Sequence, residues 1–384
     1  MSGPSIMIMA GGTGGHVYPG LAVAAVLAKC NVEVNWLGSA NSFESKLIPT
    51  QQLNFHAVNV AGLRGKGIMQ KLAAPWMLAR AVMQALTVFR RIRPRAAISF
   101  GGFAAGPGGI AATLLRVPLY VHEQNQIPGI TNRVLAKFAR RVLCGFPGSF
   151  TRSSFTGGSF TGGSFTGGSF TGGSSAANDR RMDYIGNPVR AEIIAIEAPT
   201  IRFQDRSGPL RLLCLGGSLG AKALNELLPQ AIALLPETNR PTVRHQAGPK
   251  LLDSARACYQ QAGLDAAQVV PFISDMADAY SWADVVICRA GALTVAELAA
   301  AGAAAILVPY PHAVDDHQTA NAQFLVDAGA ACMVQQRDLD PAKLAQLISQ
   351  HSDRNFCLAR AQSARNVART DAAERCVQII LGTP

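Results

Sequence analysis

The run Ile6-Met7-Ile8-Met9-Ala10-Gly11-Gly12-Thr13-Gly14-Gly15-His16-Val17 decides the fold. Five apolar residues without alternation fit a strand buried on both faces. The glycines that follow fit a tight turn into a helix, expected from about Val17 to Lys29. The pattern restarts at Arg211-Leu212-Leu213-Cys214-Leu215, followed by Gly216-Gly217-Ser218-Leu219-Gly220. Further strands are expected at Val32–Leu37, Phe55–Val60, Ala96–Phe100, Leu119–His122 and Val142–Phe146 in the first half. The second half adds Thr242–Gln246, Gln268–Phe272, Asp284–Cys288, Ala305–Pro309 and Ala331–Val334. Helical patterns lie between most of them, so the fold class is α/β, with two Rossmann-like, doubly wound parallel sheets. Ligands of such sheets bind beyond the carboxyl ends of the strands, and two sheets facing one another there would enclose a cleft.

The 384 residues suit two or three domains, and a 49% hydrophobic, 15% charged composition excludes a wholly disordered chain. The first domain is expected over residues 1–186 and the second over 187–384, with the last helix able to pack back on the first. A hinge is expected at Gly186-Asn187-Pro188-Val189-Arg190. Inside the first domain, residues 149–181 read as a low-complexity insertion. Ser-Phe-Thr-Arg-Ser is followed by four copies of Ser-Phe-Thr-Gly-Gly. That composition buries too little surface to offset chain entropy and reads as a loop; the alternative is that phenylalanines 150, 155, 160, 165 and 170 touch a membrane or partner.

The excess of 35 basic over 24 acidic residues, +11, favours an anionic partner. The eight cysteines form no CxxC pair and read as reduced core thiols. No basic segment followed by a long apolar one opens the chain, so no export signal is expected. The longest uncharged runs are interrupted by glycine and proline, so no membrane-spanning helix is expected.

Three glycine-rich strand-to-helix turns, at 11–15, 101–109 and 216–220, can bring backbone N–H groups close to phosphates at helix N-termini. None matches GxGxxG or GxxxxGK[ST], which argues against dinucleotide enzymes and P-loop ATPases. Tight turns alone would also explain glycine. Three such turns at corresponding places point to at least two anion sites, as a pair of diphosphate ligands would need. Arg289 through Glu297 is a fourth candidate, and Glu297 either accepts two ribose hydroxyls or complements a helix dipole. His16 either caps its turn or acts as a neutral base. Asn125 is placed to read a sugar or amide, while His122 and Glu123 organise its loop or join it. No zinc spacing is present, and Asp338-Leu339-Asp340 before Pro341 reads as a helix cap, so no metal is expected.

Residues 63–95 carry eight cations among Leu72, Trp76, Met77, Leu78, Val82, Met83, Leu86 and Phe89, with no acid. This is either a solvated helix or an interfacial patch with a basic rim that docks on an anionic membrane. No nucleic-acid reader motif is visible there.

Taken together, these segments resemble the MurG family of bacterial N-acetylglucosaminyltransferases. The matches are Ala10 to Val17, Gly62 to Gly67, Gly101 to Gly109, His122 to Asn125, Gly186 to Arg190, Gly216 to Ser218, Cys288 to Glu297, Gln318 and Asn321. They run in order over nearly the whole chain. The Ser-Phe-Thr-Gly-Gly insertion departs from the pattern.

The resemblance implies a GT-B fold with two domains around a cleft. It implies inverting transfer of N-acetylglucosamine from UDP-N-acetylglucosamine to the muramoyl 4-hydroxyl of lipid I, the undecaprenyl-diphosphate muramoyl-pentapeptide, in peptidoglycan synthesis. It implies no cofactor, no metal, and a peripheral place on the cytoplasmic face of the plasma membrane. Ile273 would meet uracil through its backbone and Glu297 the ribose. Ser218, Arg190 and the helix start Ala292, Leu293, Thr294 and Val295 would hold the diphosphate, with Ala296 also among the UDP-N-acetylglucosamine-binding residues. Gln318, Asn321 and Asn125 would orient the sugar, with Thr13, Gly14 and Gly15 also near the donor. Gly102, Gly106 and Gly108 would face the acceptor diphosphate, and His16 would be the base. Two other readings stay open: a different UDP-sugar-dependent lipid glycosyltransferase, and a non-catalytic nucleotide-sugar sensor docked on a membrane.

Overall fold

The computed structural model describes residues 4–60, 74–150, 181–217 and 219–382. Much of the insertion, residues 61–73 and Ser218 lie outside them. The chain forms two compact units: residues 1–188 with 371–384, and residues 189–370.

Unit 1 is built on seven parallel strands. They are β1 (Ser5–Ala10), β2 (Glu33–Ser39), β3 (Asn54–Val58), β4 (Ala96–Gly101), β5 (Leu119–Glu123), β6 (Arg141–Cys144) and β7 (Met182–Tyr184). Their spatial order is β3-β2-β1-β4-β5-β6-β7. The central strand shows why its sequence does not alternate. Ile6, Ile8 and Ala10 enter one core with Val17 and Leu27 of the first helix, whereas Met7 and Met9 enter another with Ala85, Phe89 and Ala111. Helices therefore cover both faces. The terminal helix Ala372–Leu381 closes the first of these cores with Cys376, Val377 and Ile380. Complete burial of an aliphatic side chain of this size stabilises by roughly 1.5–3 kcal/mol.

Unit 2 repeats the plan with β8 (Arg211–Leu215), β9 (Thr242–Gln246), β10 (Gln268–Val270), β11 (Val285–Cys288), β12 (Ala304–Leu307) and β13 (Ala331–Met333). The order is β10-β9-β8-β11-β12-β13. Leu212 and Cys214 pack with Leu224, Leu228 and Ile232 of the following helix.

Four local readings change. The first helix begins at Gly14, not Val17, because Gly12 turns the chain at φ +90 and Thr13 is an extended N-cap. Gly14, Gly15 and His16 thus form its first turn. Strand β7 was not anticipated: its three half-buried residues are too few for a period, and an Arg141–Asp183 ion pair of 2.8 Å supports this edge. Ser149 and Phe150, read as the start of the insertion, are buried. Ser149 Oγ donates to the Phe146 carbonyl at 2.8 Å and Phe150 joins the core. Phe150 is therefore a core residue and is not available to a membrane or partner. The other four repeat phenylalanines lie outside the described residues.

Gly108, read as an acceptor contact, is a packing residue. A Cβ there would stand 2.5 Å from Met9 Sδ and 2.6 Å from Leu37 Cδ2. It lets helix Ala105–Leu114 lie directly on the sheet. Gly108→Ala is expected to lower the unfolding free energy by about 1–3 kcal/mol through overpacking. A denaturant melt with unchanged stability would contradict the packing role.

Candidate active site

In each sheet the strand order reverses between the first strand and the fourth: between β1 and β4 in unit 1, and between β8 and β11 in unit 2. Chain leaving these neighbours departs in opposite directions, which opens a crevice at their carboxyl ends. The candidate residues gather at these two points, and each unit is described by itself.

In unit 1 the turns after β1 and β4 touch. Gly102 has φ +90, and a Cβ on it would lie 2.2 Å from the Gly11 carbonyl oxygen. Only glycine permits that approach. His16 stands in the same place, half-buried, with Nδ1 3.0 Å from the Gly11 oxygen. A carbonyl oxygen only accepts, so Nδ1 carries the proton and Nε2 keeps its lone pair in the neutral ring. Nε2 is directed over Gly101, where an added Cβ would meet it at 3.3 Å. The sequence left open a capping histidine or a base. The bond to Gly11 secures the ring within its turn and leaves one nitrogen able to take a proton. Thr13 and Gly15 are exposed beside it, and Gly14 packs near the Tyr18 ring. Gly106 is half-buried with nearly open space at its Cβ position.

A second loop follows β5. Glu123 is buried and accepts from the backbone N–H of Asn125 at 2.9 Å and of Gly129 at 3.1 Å, and from the Asn132 side chain at 3.0 Å. It also accepts from Asn125 Nδ2 at 3.2 Å, so Asn125 is held in place at the strand end. His122 is fully buried. Its Nε2 donates to the Gly186 carbonyl at 3.0 Å, and its Nδ1 accepts from the Gln124 amide at 3.1 Å. Burial pushes its imidazole down to about 4. Both residues therefore organise the loop.

In unit 2 the turn after β8 is braced by Gln246. Its Nε2 donates to the Gly217 carbonyl at 2.9 Å, and its Oε1 accepts from the Ile273 N–H at 2.8 Å. With that N–H engaged, the Ile273 backbone offers a ligand its carbonyl oxygen. Helix Ala292–Ala301 follows β11, and its N-cap Gly291 supplies no side-chain bond to the first-turn N–H groups. Ala292, Leu293 and Thr294 make that turn, and Val295 donates back to the Gly291 carbonyl at 2.9 Å.

Glu297 lies one turn further on and is buried. Oε1 accepts from Arg190 at 3.0 Å, and Oε2 accepts from the Tyr280 hydroxyl at 3.2 Å. Arg190, read as a diphosphate ligand, thus bonds to the residue read as the ribose ligand. Each carboxylate oxygen has capacity for a further hydrogen bond, so both Glu297 oxygens can still meet hydroxyls. Burial raises the Glu297 carboxyl, with Arg190 opposing it, and raises the Tyr280 hydroxyl as well. Asn321 is fully buried and donates to the Ala290 carbonyl at 3.3 Å, which secures the turn leading into the helix. Gln318 accepts from the Tyr310 N–H at 2.9 Å. Ser218 lies outside the described residues.

Sequence reasoning missed two participants, Gln246 and Tyr280. Gln246 ends β9 beside β8, and a polar residue at the carboxyl end of a buried strand is a usable signal. Tyr280 gave no such signal. Arg289, which opens the fourth candidate turn read from the sequence, donates to the carbonyls of Val308 and Pro309, each at 3.1 Å. Asp340 caps helix Pro341–Gln350, accepting from the Lys343 N–H at 2.7 Å, as its spacing suggested. Among the described residues no group of three or more His, Cys, Asp or Glu is placed to hold a metal ion.

Residues 6–144 match the glycosyltransferase family 28 N-terminal domain, and residues 211–376 match the family 28 C-terminal domain. A protein of Marinobacter nauticus is 50% identical, covering 98% of this chain and 96% of its own length. One of Xylella fastidiosa is 49% identical over 98% and 96%. Both are named UDP-N-acetylglucosamine–N-acetylmuramyl-(pentapeptide) pyrophosphoryl-undecaprenol N-acetylglucosamine transferase. The crystal structure of Acinetobacter baumannii MurG is similar at TM-score 0.80 and 38% identity, covering 99% of this chain and 100% of that one.

The buried His122 supplies a pH test. The unfolded chain takes up a proton near pH 6.5 that the folded chain refuses until about pH 4. This contribution to stability is constant above 6.5, falls as pH drops through that window, and levels below about 4, a total of about 3 kcal/mol. His122→Gln should lower the slope of unfolding free energy against pH by one proton between 4 and 6.5. An unchanged slope would show that His122 is charged in the folded state.

Proposed function

From a chain that belongs to glycosyltransferase family 28, we propose a complete reaction: N-acetylglucosamine passes from UDP-N-acetylglucosamine to the muramoyl 4-hydroxyl of lipid I, with inversion. The observation that carries this reading is His16. Its Nδ1 is tied to the Gly11 carbonyl and its Nε2 stands over Gly101, at the crevice where β1 and β4 part.

Unit 2 takes the donor. Uracil N3–H donates to the Ile273 carbonyl, and the ribose hydroxyls donate to Glu297. The diphosphate meets the N–H groups at the start of helix Ala292–Ala301, whose dipole favours negative charge there. Arg190 holds Glu297 ready while adding a positive charge nearby. Gln318 orients the sugar, and Asn321 acts by holding the Ala290 turn.

Unit 1 takes the acceptor, with Thr13, Gly14, Gly15, Gly102 and Gly106 presenting backbone to the lipid diphosphate. His16 Nε2 accepts the proton of the 4-hydroxyl as that oxygen attacks the anomeric carbon from the face opposite UDP. The bond to UDP breaks with its electron pair on the β-phosphate, where the amide-rich helix start meets the developing charge. A sensor reading explains less, since it needs no base; a different lipid glycosyltransferase would need the same histidine, and the names of the relatives at 49–50% identity favour lipid I as the acceptor.

The lipid acceptor calls for a docking surface, and unit 1 carries one. Helix Ala74–Ile92 packs against helix Ala105–Leu114, which packs against helix Ile130–Ala136. Trp76 is 76% exposed; Met83, Leu114, Val134 and Phe138 are exposed along the same three helices and their ends. Arg80, Arg116, Lys137 and Arg140 are exposed among them. Glu123 is the sole acidic residue between 74 and 140, and it is buried. An apolar face with an unopposed basic rim suits an anionic bilayer, here the cytoplasmic face of the plasma membrane. Among the described residues no helix is long and apolar enough to cross a membrane. The Arg64, Lys66 and Lys71 portion of the basic stretch lies outside them.

The enzyme incubated with UDP-N-acetylglucosamine and a lipid I analogue should form the disaccharide lipid and release UDP. His16→Ala is expected to slow turnover by about 10²–10⁴-fold while leaving donor affinity within about twofold. Normal turnover by that variant would remove His16 as the base. Binding to vesicles containing anionic lipid should weaken as salt rises; release that is indifferent to salt would refute the basic rim.

A further inference from the structure

Glu44 is buried beneath the first glycine turn and is absent from the chemistry above. It stands in the first turn of helix Phe43–Thr50, where a carboxylate complements the dipole. Its two oxygens bridge two strand ends. Oε1 accepts from the Ser39 N–H at the end of β2, and Oε2 accepts from the Gly12 N–H just past β1, each at 3.0 Å. The carboxylate also fills the flank of Gly11: a Cβ there would lie 2.2 Å from Oε1. Among the described residues no lysine or arginine pairs with it. Burying a carboxyl group without a cation is costly, and two well-formed bonds to backbone donors offset that cost only if the turn holds this shape.

We propose that Glu44 is a positioning residue for His16: by fixing the Gly11–Gly12 turn it holds the Gly11 carbonyl against His16 Nδ1, and so keeps the lone pair on Nε2. The bonds form one series, from the Glu44 carboxylate to the Gly12 N–H, through the Gly11–Gly12 peptide to the Gly11 oxygen, and on to His16 Nδ1. Loosening the first link frees the last. The imidazole then samples the other tautomer, with its proton on Nε2 and nothing left there to accept the acceptor's proton. The catalytic consequence rests on the reading of His16 as base; the tautomer itself does not.

Glu44→Gln tests this, because it replaces one acceptor oxygen with an NH2 group facing a backbone N–H. Nitrogen-15 spectra of His16 should show the Nδ1–H form in the parent protein and a mixture in the variant. Turnover should fall at least about tenfold, with the KM for UDP-N-acetylglucosamine within about twofold. In a His16→Ala background Glu44→Gln should cause no further loss, because residues acting through one another are not additive. An unchanged tautomer, or equal loss in both backgrounds, would overturn the proposal. If His16→Ala proves fully active, the base reading falls and the spectra still decide the positioning role. Should thermal melts show Glu44→Gln unfolded, Glu44→Asp replaces it, because its arm is too short to reach both N–H groups. The same mixed tautomer and loss of turnover are then expected, and an unchanged tautomer again overturns the proposal.

Discussion

The contact between two turns governs unit 1. Strands β1 and β4 are neighbours, and the chain leaving one must pass the chain leaving the other. The Gly11 oxygen would be 2.2 Å from any Cβ on Gly102, so backbone meets backbone with no side chain between. That proximity brings the start of helix Gly14–Lys29 beside the end of β4, and with it His16 over Gly101. A larger residue at Gly102 would part the two turns and move the histidine from its carbonyl partner. The geometry of His16 is thus a consequence of packing, set before any ligand arrives.

Unit 2 meets a different difficulty: a carboxylate at a position from which water is largely excluded. Burial disfavours the charged form of Glu297 and raises its pKa, while Arg190 and the Tyr280 hydroxyl draw it the other way. The pair is weak evidence for stability, since taking two charges out of water offsets most of their attraction. Its value lies in orientation. Both carboxylate oxygens are fixed from the protein side, one by Arg190 and one by Tyr280, and each retains capacity toward a ligand. Arg190 stands 107 positions before Glu297 in the chain and starts the short helix Ala191–Ile194.

Much of this was legible in the sequence for a physical reason. A strand covered on both faces needs unbroken apolar residues, and a strand-to-helix turn that approaches a phosphate or another backbone needs glycine, so β1, β4, β8 and their turns declare themselves. Gly108 shows the limit of that logic. It stands in a glycine-rich run that resembles a ligand loop, yet it serves contact with Met9 and Leu37. Strand β7 and Phe150 were hidden by the repeat beside them. Glu44 and Tyr280 were hidden because a lone acid or tyrosine in a helix normally faces solvent or core, and only the fold brings them to Gly12 and Glu297. The sequence also could not say that Arg190 reaches Glu297, because pairing across 107 residues leaves no local mark.

The helix Ala292–Ala301 joins these themes, because its two ends are treated in opposite ways. At the carboxyl end, Arg202 donates to the Ala301 carbonyl at 2.8 Å and to Gly302, and Arg365 donates to Ala300. Burial and the neighbouring Arg206 and Arg365 push the Arg202 guanidinium down to about 10, and it keeps its charge near neutral pH. Those cations answer the negative end of the dipole and fix the helix along its axis. At the amino end the N-cap is Gly291, with no side-chain oxygen to quench the first N–H groups and no acidic residue in the first turn. A helix stabilised for its own sake would carry serine or aspartate there. Leaving that end uncapped, while clamping the other with arginine, keeps its partial positive charge and free N–H groups available to an incoming anion, on a helix too firmly held to retreat from it.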